Sequence, residues 1–282
     1  MASVRVVTDS LADIPPSLMK GLDISVVPCI VHFGNKSYRD KMDLTMEDFH
    51  RLLAANPKPP TTSNPAPGAF EDVFTRLAKT TDQIISIHVG SELSGTWNAA
   101  RLAAESVKQN FPVDIRVFDS QQLSMAQGWL VILAARLAAK GMNLADIYAA
   151  VEAARPRARI IAMLDTLEYA ERSGRLRKSA VKVGSMLNVK PLLSLTGGEV
   201  VPIGAARTQN GALERLTEMA VEMGLPDEAS IVHCYSEVLA RRLKRLLMEH
   251  MPEDRITISE TGPVSGAHVG PGAVCIAWLS NK

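Results

Sequence analysis

Two hydroxyl-rich turns, one histidine among glycines and one basic stretch are the places where this chain could do chemistry. Ser91-Glu92-Leu93-Ser94-Gly95-Thr96 follows an apolar β-branched run ending at Val89 and precedes a segment of helical period starting near Trp97. A strand-turn-helix junction of that kind leaves unpaired backbone N–H groups aimed outward, and with the helix dipole they favour an anion. Ser94 is then either an anion ligand or the cap of the next helix, since serine and threonine are ordinary N-caps. Thr61-Thr62-Ser63 lies within residues 56–68, where five prolines in thirteen residues predict a stiff, shaped loop. Residues 261–272 hold four glycines and two prolines around His268 and read as another shaped loop. There His268 either belongs to a structural turn or serves an anion as hydrogen-bond partner or proton holder, since imidazole ordinarily titrates near neutral pH. Between Arg172 and Lys190 stand six basic residues (Arg172, Arg175, Arg177, Lys178, Lys182 and Lys190) and no acidic one, with Arg207 a little further on. This is either a solvated face or a docking surface for an acidic partner or a phosphate-bearing ligand.

Several chemistries are excluded by spacing. Gly90 and Gly95 have the separation of a phosphate loop, but Thr96-Trp97 stands where Lys and then Ser or Thr are required. A hydrolase elbow needs glycine two residues either side of its serine, and Glu92 and Thr96 occupy those positions around Ser94. A hydroxyl without an activating base suits binding a carboxylate better than attacking one, although a hydrolase using Ser94 with His268 as base is the alternative reading. Cys29, Cys234 and Cys275 are too few and too scattered for a disulfide framework or a zinc site, so no metal is expected and the compartment reads as reducing.

The elements that must position these residues alternate. Residues 4–8, 24–33, 84–89 and 115–118 read as strands, and residues 46–53, 70–77, 97–107 and 123–139 carry apolar side chains at helical spacing. That is the α/β pattern of a largely parallel sheet. Asn143 caps a further helix ending near Ala154, and Pro156 breaks the period. A domain boundary is placed there, giving residues 1–156 and 157–282. The second part is also α/β, with strands at 160–164, 192–195, 200–203, 231–234, 256–259 and 274–278 and helices near 213–223 and 238–250. The whole chain has 282 residues and a formal charge of +1, which argues against a general nucleic-acid partner. Its most apolar run, residues 129–139, is interrupted by Arg136 and is shorter than the ~20 residues that cross a bilayer. With no visible secretion signal, a cytoplasmic protein is expected.

The ordered segments Val7-Thr-Asp-Ser-Leu-Ala-Asp13, Val26-Val-Pro28, Tyr38-Arg-Asp40, Pro60-Thr-Thr-Ser63, Leu93-Ser-Gly-Thr96, Asp165-Thr-Leu-Glu-Tyr169, Ser173-Gly-Arg175, Leu187-Asn-Val-Lys-Pro191 and His268-Val-Gly-Pro-Gly272 resemble the DegV family of bacterial fatty-acid-binding proteins from end to end. The resemblance implies two α/β domains, the N-terminal one with a largely parallel sheet, and one long-chain acid, palmitate- or oleate-like, in a tunnel between them. It implies Thr62 and Ser94 as carboxylate ligands, with His268 and Arg175 completing the network, and no cofactor beyond the acid. It further implies a non-catalytic carrier that presents the acid to a separate ATP-binding kinase subunit for conversion to acyl phosphate and phospholipid synthesis. Arg175, Lys190 and Arg207 would form the docking face, and transient membrane contact would serve ligand exchange. The chain departs from the family at Asn64, where glutamine is usual, at Ser173, where a second glycine is usual, and at Val269, where threonine is common.

Overall fold

A computed structural model describes residues 4–56, 58–176 and 189–280. Strands β1 (Arg5–Asp9), β2 (Ile24–Val27), β3 (Ile30–Phe33), β4 (Lys36–Arg39), β5 (Thr61–Ser63), β6 (Gln83–His88) and β7 (Asp114–Asp119) precede residue 156. Strands β8 (Ala158–Met163), β9 (Lys190–Thr196), β10 (Glu199–Ala206), β11 (Ala229–His233), β12 (Ile256–Glu260) and β13 (Val274–Leu279) follow it. The helices, in chain order, are α1 (Pro16–Met19), α2 (Met46–Ala55), α3 (Pro67–Ala78), α4 (Thr96–Lys108), α5 (Ser124–Ala139), α6 (Leu144–Ala154), α7 (Glu168–Arg172), α8 (Gln209–Glu222), α9 (Glu237–Leu247) and α10 (Pro263–Val269).

A parallel sheet runs in the order β2-β1-β6-β7 and a six-stranded mixed sheet in the order β10-β9-β8-β13-β11-β12. The central strands β1 and β6 are buried on both faces, as crossover helices require. Val7, Ile84 and Ile115 pack under α3 and α4, while Val6, Ile85 and Ile87 face α5. Helix α5 has apolar residues all round, and twelve of its sixteen residues are buried. Such a helix must be covered on every side, and it is: Ile160, Cys275 and Ala277 of the six-stranded sheet share its core with the parallel strands. Trp129 Nε1 donates to Ala277 O at 3.1 Å, and Gln127 Nε2 donates to Thr8 Oγ1 at 3.1 Å, so the helix is tied to both sheets. Gly128 permits the close approach of α5 to the turn after β1, because a Cβ there would lie 2.7 Å from Ala12 O. Helices α8 and α9 cover the other face of the six-stranded sheet through Leu213, Leu216, Leu243 and Leu247. No described helix is long and apolar enough to cross a membrane.

The α/β pattern holds, and Asn143 caps α6 by accepting from Asp146 N. Three expectations change. The single strand over 24–33 is two strands in different sheets, because Pro28 has no N–H for a ladder and Cys29 N turns to Ser10 Oγ at 3.1 Å. The proline-rich loop contains β5, which pairs antiparallel with β3 as β3 does with β4. The loop over 261–272 contains α10, with Pro263 in its first turn and Gly270 at φ 72° just past its end. There glycine and proline bound a short helix instead of replacing one.

Beneath the parallel sheet's carboxyl edge lies Asp9, fully buried. It accepts from Leu11 N at 3.0 Å, His88 Nδ1 at 3.0 Å, Val89 N at 3.0 Å and Gln127 Nε2 at 3.2 Å. One carboxylate thus joins the ends of β1 and β6 to α5. Asp9→Ala leaves buried donors unpaired and is expected to cost about 3 kcal/mol of stability. A urea melt checks this, and a loss below about 0.5 kcal/mol, the size of an ordinary surface substitution, would contradict it.

Candidate functional site

From β1 the chain passes to β2 on one side of the parallel sheet and later to β6 on the other, so the strand order reverses between β1 and β6. Open α/β sheets bind ligands at that point, outside the carboxyl ends of the strands. The segments leaving β1 and β6 there both line one cavity, through Leu11 and Asp13 from the first and Val89, Leu93 and Ser94 from the second. The cavity holds about 340 Å³, toward the lower end of the roughly 300–1,000 Å³ of small-molecule sites. Leu123, Ile160, Leu164, Leu193 and Val232 give it a largely apolar wall.

Thr62, Ser94, Arg175 and His268 all line it. Pairing of β5 with β3 places Thr62 opposite the buried Val31, so its hydroxyl turns inward and meets His268 Nε2 at 2.8 Å. Ser94 lies in the turn before α4, whose backbone folds back on Gly90 through Leu93 N and Ser94 N. Its Oγ lies 2.8 Å from Thr96 Oγ1 and accepts from Thr96 N at 3.3 Å, so it serves the first N–H of α4, whose N-cap position is Gly95, and lines the cavity as well. The two hydroxyl loops meet where Asn64 packs on Gly95; a Cβ on that glycine would sit 3.1 Å from Asn64 Oδ1.

His268 rides on the last turn of α10, and the loop behind it fits only glycine. Gly270 has φ 72° and lies flat against the Tyr169 ring, while Gly272, with φ 86°, would bring a Cβ within 2.9 Å of Asp165 Cβ. Thus the His-Val-Gly-Pro-Gly segment docks on Asp165-Thr-Leu-Glu-Tyr169. Arg175 is exposed at the mouth, where its Nε reaches Leu93 O at 3.5 Å and its Nη1 donates to Ser173 O at 2.5 Å. Lys190 is half-buried and gives its ammonium to Asp165 Oδ1 at 2.5 Å, an oxygen also held by Gln209 Nε2 at 3.1 Å. Arg207 is exposed, with no hydrogen bond among the described residues. Arg177, Lys178 and Lys182 of the basic stretch lie outside the described residues.

Electrostatics separate the roles. A helix C-terminus favours a charged imidazole, but burial, reinforced by the nearby Arg175 charge, wins and lowers His268 to about 4. Of the two roles read for it, His268 is therefore suited to the neutral hydrogen-bond partner near pH 7, and its buried Nδ1 has no partner among the described residues. Among the described residues, the guanidinium of Arg175 is the cation at this end. Among the described residues, neither Ser94 nor its hydroxyl partner Thr96 is held by a base, and His268 is turned to Thr62.

Sequence reasoning missed part of the wall. All three cysteines line the cavity. Burial raises each thiol, Cys234 and Cys275 to about 12, so they stand as small neutral groups. Asp13, Ser124, Thr261 and Ser265 line it too. Position just past the carboxyl end of β1 marks Asp13 in the sequence, and Thr261 and Ser265 fall within the glycine-rich 261–272 segment; no signal marks Ser124. Because His268 is buried neutral and the unfolded histidine titrates near 6.5, protonation between those values opposes folding. Its contribution to stability is full above about pH 6.5 and falls as the pH drops toward 4. The imidazole nitrogen shifts of labelled ligand-free protein should titrate near pH 4; a midpoint near the ordinary value of about 6.5 would contradict the burial argument.

The model of the DegV family of uncharacterised proteins matches residues 3–281. A DegV domain-containing protein of Caldanaerobacter subterraneus is 35% identical, with 97% of each chain covered. Protein DegV of Bacillus subtilis is 34% identical, with 98% of this chain and 99% of that one covered. Its crystal structure, described as that of a fatty acid binding protein, superposes with a TM-score of 0.88 over 100% of both chains at 32% identity. A DegV family protein from Thermus thermophilus, described by its fatty acid binding, superposes with a TM-score of 0.90 at 29% identity, covering 98% of this chain and 99% of that one. With the family model running nearly from end to end and the Caldanaerobacter and Bacillus relatives above 30% identity over almost their full lengths, this chain belongs to the DegV family.

Proposed function

We propose that this protein binds one long-chain fatty acid, palmitate- or oleate-like, between an N-terminal unit of residues 1–156 and a C-terminal unit of residues 157–282. The acyl chain lies along the apolar wall. The carboxylate sits at Thr62, Ser94 and His268, with Arg175 closing from the mouth. The observation that carries this reading is the convergence of these four side chains, from four separate elements, on one largely apolar cavity. Fatty-acid binding by the Bacillus and Thermus relatives supports it.

The energetics agree. Burying a sixteen-carbon chain contributes on the order of 10 kcal/mol at about 0.8 kcal/mol per methylene, before the cost of association is subtracted. The tail supplies affinity, and the head group supplies orientation. A carboxylate leaving water needs charge-assisted hydrogen bonds. Two hydroxyls, one of them paired with the neutral imidazole, and the N-terminal end of α4 can furnish them without a second buried charge.

With its carboxylate near the mouth beside Arg175, the acid is presented to a separate ATP-binding kinase subunit. That subunit converts it to an acyl phosphate for phospholipid synthesis, and this chain acts as a carrier without turnover of its own. Exposed Arg175 and Arg207, with Lys190 held by Asp165, are the proposed docking face, and transient membrane contact serves exchange of the acid. Thr62→Val and Ser94→Ala should each weaken retention of labelled palmitate about tenfold, the worth of a hydrogen bond to a charged group. Arg207→Glu should retain palmitate as the parent does and lower acyl phosphate formation, trapped as hydroxamate, with ATP and the kinase subunit. Unchanged retention in both hydroxyl variants would overturn the carboxylate site, and unchanged transfer in Arg207→Glu would overturn the docking role.

A further inference from the structure

The turn before α4 leads to a second hydroxyl, which the carboxylate site described above does not use. Ser94 lines the cavity, whereas Thr96, two residues on, is fully buried and is not part of the cavity wall. A buried hydroxyl must spend its proton on an acceptor. Among the described residues, the oxygen bonded to Thr96 Oγ1 is Ser94 Oγ at 2.8 Å. Beside Thr96 also stands the thiol of Cys29, itself buried and kept protonated by that burial. A thiol is a weak donor and a weak acceptor.

Counting protons and lone pairs gives the bond between Thr96 and Ser94 a direction. A hydroxyl has one proton and two acceptor lone pairs. Ser94 Oγ gives one lone pair to Thr96 N at 3.3 Å. Were Ser94 to donate to Thr96 Oγ1, its remaining lone pair would face the cavity and repel a carboxylate, and the Thr96 proton would be left with the thiol sulfur. With Thr96 donating, both Ser94 lone pairs are taken and the Ser94 proton turns to the cavity. Thr96 Oγ1 then keeps a lone pair for the Cys29 S–H. Protons from Cys29 through Thr96 to Ser94 thus all point toward the cavity, and each bond polarises the next.

We propose that Thr96 is a positioning residue: by donating to Ser94 Oγ it turns the Ser94 proton into the cavity and makes that hydroxyl a stronger, one-directional donor to the ligand carboxylate. This rests on the fatty-acid reading above and adds to its carboxylate site a residue that acts only through Ser94. The test uses delipidated protein and palmitate with a labelled carboxyl carbon. Thr96→Val keeps the branched shape and removes the hydroxyl. It should weaken palmitate retention about threefold, less than Ser94→Ala does, because the Ser94 hydroxyl remains. A hydrogen bond to a carboxylate favours its ionised form, so the carboxyl carbon of bound palmitate should titrate about half a pH unit higher in Thr96→Val than in the parent. Thr96→Ser, which restores the hydroxyl, should return both values to those of the parent. In a Ser94→Ala background Thr96→Val should change neither, because its route to the ligand is gone. If Thr96→Val fails to fold, Thr96→Ala is read in the same way. Parent-like retention without the Thr96 hydroxyl, an equal loss in the Ser94→Ala background, or no rescue by Thr96→Ser overturns the positioning role and leaves the fatty-acid reading standing. A parent protein that retains no palmitate overturns both.

Discussion

A helix with no polar face cannot lie on a protein's surface, and helix α5 imposes that constraint on everything around it. Its apolar side chains demand a sheet on each side, and the parallel sheet and the six-stranded sheet meet across it. The carboxyl edge of the parallel sheet is thereby held opposite β8, β11 and β13. The cavity forms where the segments leaving β1 and β6 face those strands. Asp9 couples this packing to the site, because the carboxylate that receives Gln127 of α5 also receives Val89 N, at the start of the turn that carries Ser94.

Charge is rationed inside the cavity. Burial holds His268 neutral and the three thiols protonated, and Lys41 offsets Asp13 within the wall. Arg175 stands exposed at the mouth. Among the described residues, an anionic head group placed there would meet one cation and several neutral donors.

Much of this was legible in the sequence, for physical reasons that can be named. The strands at β1, β6 and β7 and the helices α4 and α6 follow from apolar periodicity, α5 from an apolar run too long for a strand, and the Asn143 cap from its side chain. Pro28 was the unread signal that splits residues 24–33, and α10 hid behind glycines and prolines that mark its ends. Thr62, Ser94 and His268 stood out by residue type and setting. Their convergence did not, since residues 62 and 268 meet only through the pairing of β5 with β3 and the seating of α10 against Tyr169. Periodicity is blind to such long-range contacts, and the three cysteines that share the cavity wall are equally invisible to it.

The central claim, that this cavity carries a fatty acid, is tested most directly by native mass spectrometry of the freshly purified protein, followed by denaturation and identification of what is released. The account predicts a species heavier than the bare chain by one long-chain fatty acid, which denaturation frees. A bare chain that stays bare after incubation with palmitate and oleate would contradict it.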